Sequence, residues 1–475
     1  MLRLVRLAFP IAVGIFAVAC SSEDDGAGGA AGAAGAVLPE GGAGEAGAEG
    51  GVEAATDVSQ PEADAPIDGL PVTIDTYNLY LAGSFAPFED VRRPLLFDAI
   101  SKMPSDIVCI QEVWRDTDKQ ALIEAVKATF PYAASFPTTV ATPVDDPTLA
   151  DGGMPPTPTQ APCADVEIKQ LLADTMACVK QNCSTIPGSD QGKTTSTSCA
   201  ESACLVQAAA LVLGDPARKK CYGCAVSMMP DAKIADIFEQ CTTNPLGGLA
   251  FDGQNSLVLL SKHPLESPSM SVQPGTWNRR AILHAKAQLP ESQTLDVFCN
   301  HLSAVFYGDA YPYTGEYGNG AMDYKGWEAE QLLQIQKLAK FVADKAGSSP
   351  AVILGDFNAG ADYKANAVEA DGAAAYAALL SLWKEAVPAS FEPLCTFCTK
   401  GGNTLASGSP NSFIDHIFLS GIEPSSVLSA VRTFDQLVVP VPNGADAGVS
   451  VDGGAAMMHL SDHYGMRSTF VMKSK

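Results

Sequence analysis

The chain is short of positive charge. Its 475 residues hold 30 Lys and Arg against 54 Asp and Glu, a formal charge of −24. Non-specific nucleic-acid binding rests on Lys and Arg contacts to phosphates, so this balance argues against a partner chosen by a basic surface. It does not exclude a phosphodiester substrate, because a bound cation reverses the field locally. Basic residues are missing altogether from residues 21–70, which carry eleven acidic residues and almost no large apolar side chains. Such a stretch cannot bury enough surface to offset its ordering entropy. It reads as a disordered acidic Gly/Ala tether, able to span roughly 40 Å by random-coil scaling. No repeat of fixed period is visible.

The first apolar stretch, Leu7 to Ala19 behind Arg3 and Arg6, is too short to span a bilayer and reads as the core of a signal peptide. Cys20 follows Ala17-Val18-Ala19, which resembles a bacterial lipobox and implies a signal peptide over residues 1–20 with Cys20 lipidated. An ordinary secretory cut near Ala19 is the alternative. Ser21 after the cysteine favours the outer membrane or cell surface. The expectation is an exported protein joined to a membrane through Cys20, with acylation by more than one chain giving stable anchoring. Export predicts an oxidising compartment, and apart from Cys20 twelve cysteines remain, an even number. Eight of them lie between Cys163 and Cys241; the others are Cys109, Cys299, Cys395 and Cys398. Cys395-x-x-Cys398 reads as a local disulfide rather than half of a zinc site.

Order is expected from residue 71. Residues 72–79 alternate as a β-strand, 91–102 read as a helix, 106–111 as a buried strand and 116–129 as a helix with Leu122, Val126 and Phe130 on one face. Around Val140 the composition turns rich in Pro and Thr, and the cysteine-dense stretch follows. Residues 141–248 are predicted to form a helical insertion held by disulfides, within a domain running over 71–475. Eight cysteines allow 105 connectivities, and the sequence chooses none. Further strands are predicted at 255–262, 280–287, 294–300, 351–354, 413–419, 430–434 and 465–471. A helix is predicted over 325–345, with Leu332, Leu333, Ile335, Leu338 and Phe341 inward. Many strands and few helices indicate an α+β fold, two packed sheets with helices outside.

Six short polar segments close apolar runs in a fixed order. They are Tyr77-Asn78-Leu79, Ile110-Gln111-Glu112, Asn300-His301-Leu302, Gly355-Asp356-Phe357-Asn358, Ile414-Asp415-His416 and Ser461-Asp462-His463. A carboxylate and an amide oxygen at strand ends suit a hard cation that keeps water and substrate phosphate in its shell. A histidine near an acidic partner suits a general base. The inventory is that of metal-assisted phosphate-ester hydrolysis.

These segments resemble the endonuclease/exonuclease/phosphatase superfamily, with its pancreatic-deoxyribonuclease-like two-sheet sandwich, over residues 71–140 and 249–475. The resemblance implies a phosphodiesterase using Mg²⁺, with Mn²⁺ or Ca²⁺ as substitutes. It implies Glu112 as metal ligand, Asn78 beside it and Asp462 on the metal side. His463 is then the base, oriented by Asp415. Asp356 aligns the attacking water, Asn358 and His301 meet the phosphoryl oxygens or the leaving group, and Arg280 lies near the phosphate. His416 is expected to face the other way and to be structural. A monomer is expected. Three readings of function remain open: a sphingomyelinase-like lipid phosphodiesterase, an extracellular endonuclease, and a non-catalytic surface binding protein. The tether and the acidic surface favour the first. So do the aromatics Phe306-Tyr307 and Tyr311-Pro312-Tyr313, which could meet a lipid interface.

Overall fold

The computed structural model describes residues 69–83, 86–137, 160–183, 203–228, 234–244, 250–275, 278–306, 324–400, 402–406, 410–441, 449–450 and 456–473. The expected signal peptide, Cys20, nearly all of the tether and the aromatics beyond Phe306 lie outside them.

The chain opens with strand β1 (Leu70–Leu81), helix α1 (Glu89–Ser101), β2 (Ile107–Val113), α2 (Asp116–Val126) and β3 (Tyr132–Ala134). Four helices come next, α3 (Val166–Cys183), α4 (Leu205–Val212), α5 (Pro216–Met228) and α6 (Ile234–Thr243). Then come β4 (Val258–Ser261), β5 (Leu265–Val272), β6 (Ala281–Gln288), β7 (Thr294–His301), α7 (Tyr324–Ala346), β8 (Ala351–Asp356), α8 (Ala373–Leu382) and β9 (Lys384–Glu385). The last strands are β10 (Asp415–Ser420), β11 (Val427–Thr433), β12 (Val439–Pro440), β13 (Val449–Ser450), β14 (Ala456–Met458) and β15 (Gly465–Met472).

Two six-stranded sheets result, ordered β11-β15-β1-β2-β4-β3 and β5-β6-β7-β8-β10-β9, with a small third sheet β12-β14-β13. Each large sheet has one parallel pair among antiparallel ones, β1 with β2 and β7 with β8. The strands of both sheets alternate inward so that Ile74, Ile107, Leu259, Leu283, Val297, Leu354 and Phe470 fill the space between the sheets. Helices α1 and α2 cover the outer face of the first sheet through Leu96, Ile100, Leu122 and Val126. Helices α7 and α8 cover the second through Ile335, Leu338 and Leu379. This is the α+β sandwich expected. Helices α3 to α6 keep a core of their own, built on Leu172, Met176, Leu211 and Ile237 and joined by Cys163–Cys221, Cys178–Cys204 and Cys224–Cys241. Cys183 is also disulfide-bonded.

Two expectations need correction. The strand predicted from 255 begins only at Val258, because Asn255 Oδ1 accepts the Leu257 N–H at 3.1 Å. Such an Asx turn competes with a ladder for the same donor. On α7, Leu332, Leu333 and Phe341 are only half-buried, while Glu330, Gln331 and Gln334 are buried. The inward stripe is partly polar because the loops after β7 and β8 bring backbone groups to it that need partners.

Cys109 on β2 and Cys299 on β7 bridge the two sheets in the middle of the core, 190 residues apart in sequence. A link closing so long a loop removes much of the unfolded chain's freedom. Replacing both by alanine should lower stability by about 3–5 kcal/mol. Scanning calorimetry should show this as a fall in thermal midpoint on the order of 5–10 °C; an unmoved midpoint would mean that packing alone holds the sheets together.

Candidate active site

The parallel strands deliver their C-terminal ends to one rim. β1 brings Asn78, β2 brings Glu112, β7 ends on His301 and β8 ends on Asp356. Asp415 opens β10 directly opposite Asp356, and Asp462 and His463 precede β15. Backbone geometry at this rim is unusual. Glu112 and Asn358 have φ of 55° and 48°, in the left-handed region that residues other than glycine seldom adopt. Gly355 has no alternative, since a Cβ there would lie 2.0 Å from the Asn300 carbonyl oxygen.

Asp356 is the hub. Its Oδ1 accepts the Asn358 backbone N–H at 2.9 Å. Its Oδ2 accepts Asn78 Nδ2 at 3.0 Å and lies 3.4 Å from His301 Nε2 and 3.8 Å from His463 Nε2. On the other side of its ring, His463 Nδ1 meets Asp415 Oδ2 at 2.8 Å. Asp356, Asn78, His301, His463 and Asp415 are all almost fully buried. Glu112 stands beside them, 4.0 Å from His301 Nε2.

Burial and crowding set the charges. Asp356 is pushed up to about 6, by burial first and then by Asp415. Asp462 is pushed up to about 7 by burial and by Glu112, which is itself raised by burial. For His463 burial disfavours the charged ring, but Asp415, Asp356 and Asp462 outweigh it and hold its pKa well above the usual histidine value. His301 goes the other way: burial, then Arg280 and His463, keep it neutral. Arg280 is buried with Nε and Nη1 lacking hydrogen-bond partners, and its guanidinium lies 5.7 Å from the Trp114 ring centre. Glu112 and Asp356 are the acidic groups that act on it most strongly.

The structure thus brings together Asn78, Glu112, Arg280, His301, Asp356, Asn358, Asp415, Asp462 and His463. Two of them are oriented differently from expectation. Asn78 Oδ1 accepts the Tyr80 N–H at 3.0 Å, so its nitrogen faces the site and donates to Asp356 and Glu112. It holds carboxylates in place rather than offering oxygen to a cation. Asn358 donates its side-chain amide to Leu302 O at 2.9 Å, fixing the turn before anything else. His416 faces away from the rim, between Glu385 Oε1 at 2.6 Å and Ala359 O at 2.7 Å.

Sequence reasoning missed several supports. Arg92, fully buried, donates to Leu79 O at 3.2 Å, Tyr80 O at 2.6 Å and Leu460 O at 2.7 Å, tying the end of β1 to the Ser-Asp-His loop. Gln331 donates to Ser303 O and Asn358 O, both at 2.8 Å, and Gln334 Oε1 accepts Ser303 N–H at 2.8 Å. Two glutamines three residues apart on the helix face that also carries Ile335 and Leu338 were the available signal. Trp114 stacks on Phe251 at 5.0 Å, joining the rim to the short turn Ala250–Gly253 ahead of β4.

The matching family is described as the Endonuclease/Exonuclease/phosphatase family, and its profile covers residues 76–463. The chain belongs to this family. Similar solved structures include sphingomyelinase C from Streptomyces griseocarneus, 14% identical, covering 84% of this chain and 99% of that one with a TM-score of 0.45. A beta toxin from Staphylococcus aureus with bound magnesium ions is 13% identical, covering 85% and 100% with a TM-score of 0.42. An endonuclease/exonuclease/phosphatase family protein from Bacteroides thetaiotaomicron is 11% identical, covering 86% and 99% with a TM-score of 0.41. No curated protein matches the sequence.

The donor set fits a hard divalent cation. Among the described residues the tightest trio of ligand atoms belongs to Asp356, Asp415 and His463, within 4.8 Å of one another. Two of these already bond each other, so we read them as a hydrogen-bonded pair facing a third acid. Glu112, raised by burial and Asp356, and Asp462, raised by burial and Glu112, offer the oxygens that a cation would hold.

In cation-free protein, His463 should titrate above the ordinary histidine value of about 6.5. Asp415→Asn should move it down, because the neutral amide no longer favours the charged ring. Histidine NMR titration checks both. The sign carries to stability: the folded ring binds its proton more tightly than the unfolded chain does. Its contribution is complete below the unfolded pKa and is lost as pH rises through the folded one.

Proposed function

We infer that the protein is a cation-dependent phosphodiesterase acting outside the cytoplasm. The observation that carries this is the line Asp415–His463–Asp356, with 2.8 Å on one side of the ring and 3.8 Å on the other. Asp415 accepts the hydrogen bond of Nδ1–H and so fixes the tautomer, leaving Nε2 to face the site. When Nε2 is free of its proton it can draw one from a water that Asp356 aligns against phosphorus. Arg280 turns unpartnered N–H groups to the same region, suited to a phosphoryl oxygen. His301, kept neutral, can donate from Nε2 while Ser256 Oγ lies 3.3 Å from Nδ1. Glu112 and Asp462 would hold a divalent cation, whose chemistry when bound would be Lewis-acid stabilisation of the charge that builds on the phosphate.

Export is supported by five disulfides among the described residues and by the N-terminal pattern that makes Cys20 a lipidation site. We favour a lipid head-group diester as substrate. A charge of −24 opposes a long polyanion, and a membrane-tethered enzyme meets lipid at high local concentration. Phe306 gives this reading little help, since its ring packs on Trp327 at 4.9 Å. An extracellular nuclease is the second reading, favoured by the family description, which embraces endonucleases and exonucleases.

Side-by-side assays decide. Purified residues 66–475 with Mg²⁺ are offered sphingomyelin vesicles and duplex DNA, with EDTA, His463→Ala and Glu112→Gln as controls. Phosphocholine release lost in every control is expected, and each substitution should lower the rate on the order of 10³-fold. DNA cleavage with the same controls would make the protein a nuclease. Full activity of Glu112→Gln at saturating Mg²⁺ would remove that residue's metal role.

A further inference from the structure

The local disulfide Cys395–Cys398 is used by none of the chemistry above. The two residues it encloses are Thr396 and Phe397, and both touch the catalytic pair. Thr396, fully buried, accepts the backbone N–H of Ile414 at 3.1 Å and of Asp415 at 3.2 Å on its hydroxyl oxygen. Its own N–H and that of Phe397 donate to Ser412 O at 2.9 and 3.0 Å. Its carbonyl accepts the Tyr464 N–H at 2.8 Å. Phe397 pairs with His463 through an isolated β-bridge, and its ring lies 5.1 Å from the imidazole. Arg432 donates to Cys395 O at 3.0 Å and stacks over Tyr464 at 4.5 Å, closing the outer side of the loop.

One short loop therefore grips the chain on both sides of the Asp–His contact, at residues 412–415 and at 463–464. Asp415 needs this grip. Its Oδ2 meets His463, but its Oδ1 has no hydrogen-bond partner, so no second side-chain bond aims the carboxylate. The carboxylate is placed by its backbone. That backbone is held on one edge by the ladder to β8 and on the other by the Thr396 hydroxyl. A four-residue ring closed by a disulfide has little freedom to let that hydroxyl drift.

We propose that the Cys395–Cys398 loop is a positioning element for the Asp415–His463 pair, with Thr396 as its positioning residue and the disulfide as its clamp. The proposal rests on reading that pair as the general base. It predicts that loosening the loop lowers turnover and leaves substrate affinity alone. Misplacing a catalytic group by about 1 Å can cost on the order of 10²-fold.

The test uses the full-length protein with Mg²⁺ and the chromogenic diester bis(4-nitrophenyl) phosphate, together with proton NMR of the His463 Nδ1–H resonance. The variants are Thr396→Val, Thr396→Ser and the double change Cys395→Ser with Cys398→Ser. Valine should lower kcat on the order of 10²-fold with KM held within about three-fold, and should broaden or shift the downfield Nδ1–H signal. Serine, which keeps the hydroxyl, should restore both. The double cysteine variant should lower kcat on the order of ten-fold and broaden the same signal. Native kcat and an unaltered signal in the valine variant would overturn the proposal, as would a serine variant no better than valine. If valine prevents folding, the double cysteine variant decides by the same two readouts. If the unaltered protein hydrolyses no diester, the functional reading fails, and the NMR signal alone still judges the loop.

Discussion

Burial of converging acids, with repulsion between them second, governs this site. Glu112, Asp356, Asp415 and Asp462 converge on one rim, where burial removes the water that would screen them. The fixed cation facing them is Arg280, with Arg92 behind Asp462. The remaining balance falls on His463, which is driven toward its charged form. A charged imidazole cannot accept a proton. The same crowding that holds the ring in place therefore keeps it from acting as a base until another positive charge enters. A hard cation held by Glu112 and Asp462 would offset that charge and free the ring to accept a proton.

Holding like charges together requires a stiff frame, and the sandwich supplies one. Glu112, Asp356 and Asp415 sit on strand ends, so their spacing follows from the register of the two sheets, while Asp462 sits in the Ser-Asp-His loop. The Cys109–Cys299 bridge joins the two sheets, with Glu112 three residues beyond one half-cystine and His301 two residues beyond the other. Where the strands stop, side chains take over from the ladder. Arg92 satisfies carbonyls of Leu79, Tyr80 and Leu460, and Gln331 those of Ser303 and Asn358. Each buried carbonyl left without a donor would cost about 1–3 kcal/mol, so these polar side chains hold the rim rather than weaken it.

The sequence showed the strands and the six polar segments clearly, because alternation and strand-ending motifs are local signals. Asp415, His463 and Asp356 could be read there with their partners. What escaped was the direction of side chains. Asn78 was read as an oxygen donor, yet its oxygen is claimed by Tyr80 N–H two residues away, a contact set by the left-handed turn at Tyr80. The inward polar row of α7 escaped because hydrophobic periodicity records which side chains shun water. It does not record which backbone groups, brought in by distant loops, will need a donor. Arg92 escaped for the same reason: in sequence it is an arginine on a helix, and only its four carbonyl partners make it a buried one.

The cysteines tie the core to the rim. Cys395-x-x-Cys398 was legible as a disulfide but not as part of the site, because its partners lie 17 and 65 residues away, at Asp415 and His463, counted from Cys398. Two bridges thus touch the catalytic rim, one from inside the core and one from beside the base. A chain folding in a reducing compartment would lose both constraints while keeping its hydrophobic pattern. It could close its core and still leave Asp415 free to turn from His463. The acidic rim would then relax by letting its charges separate, and the fixed spacing of its carboxylates would be lost with the geometry.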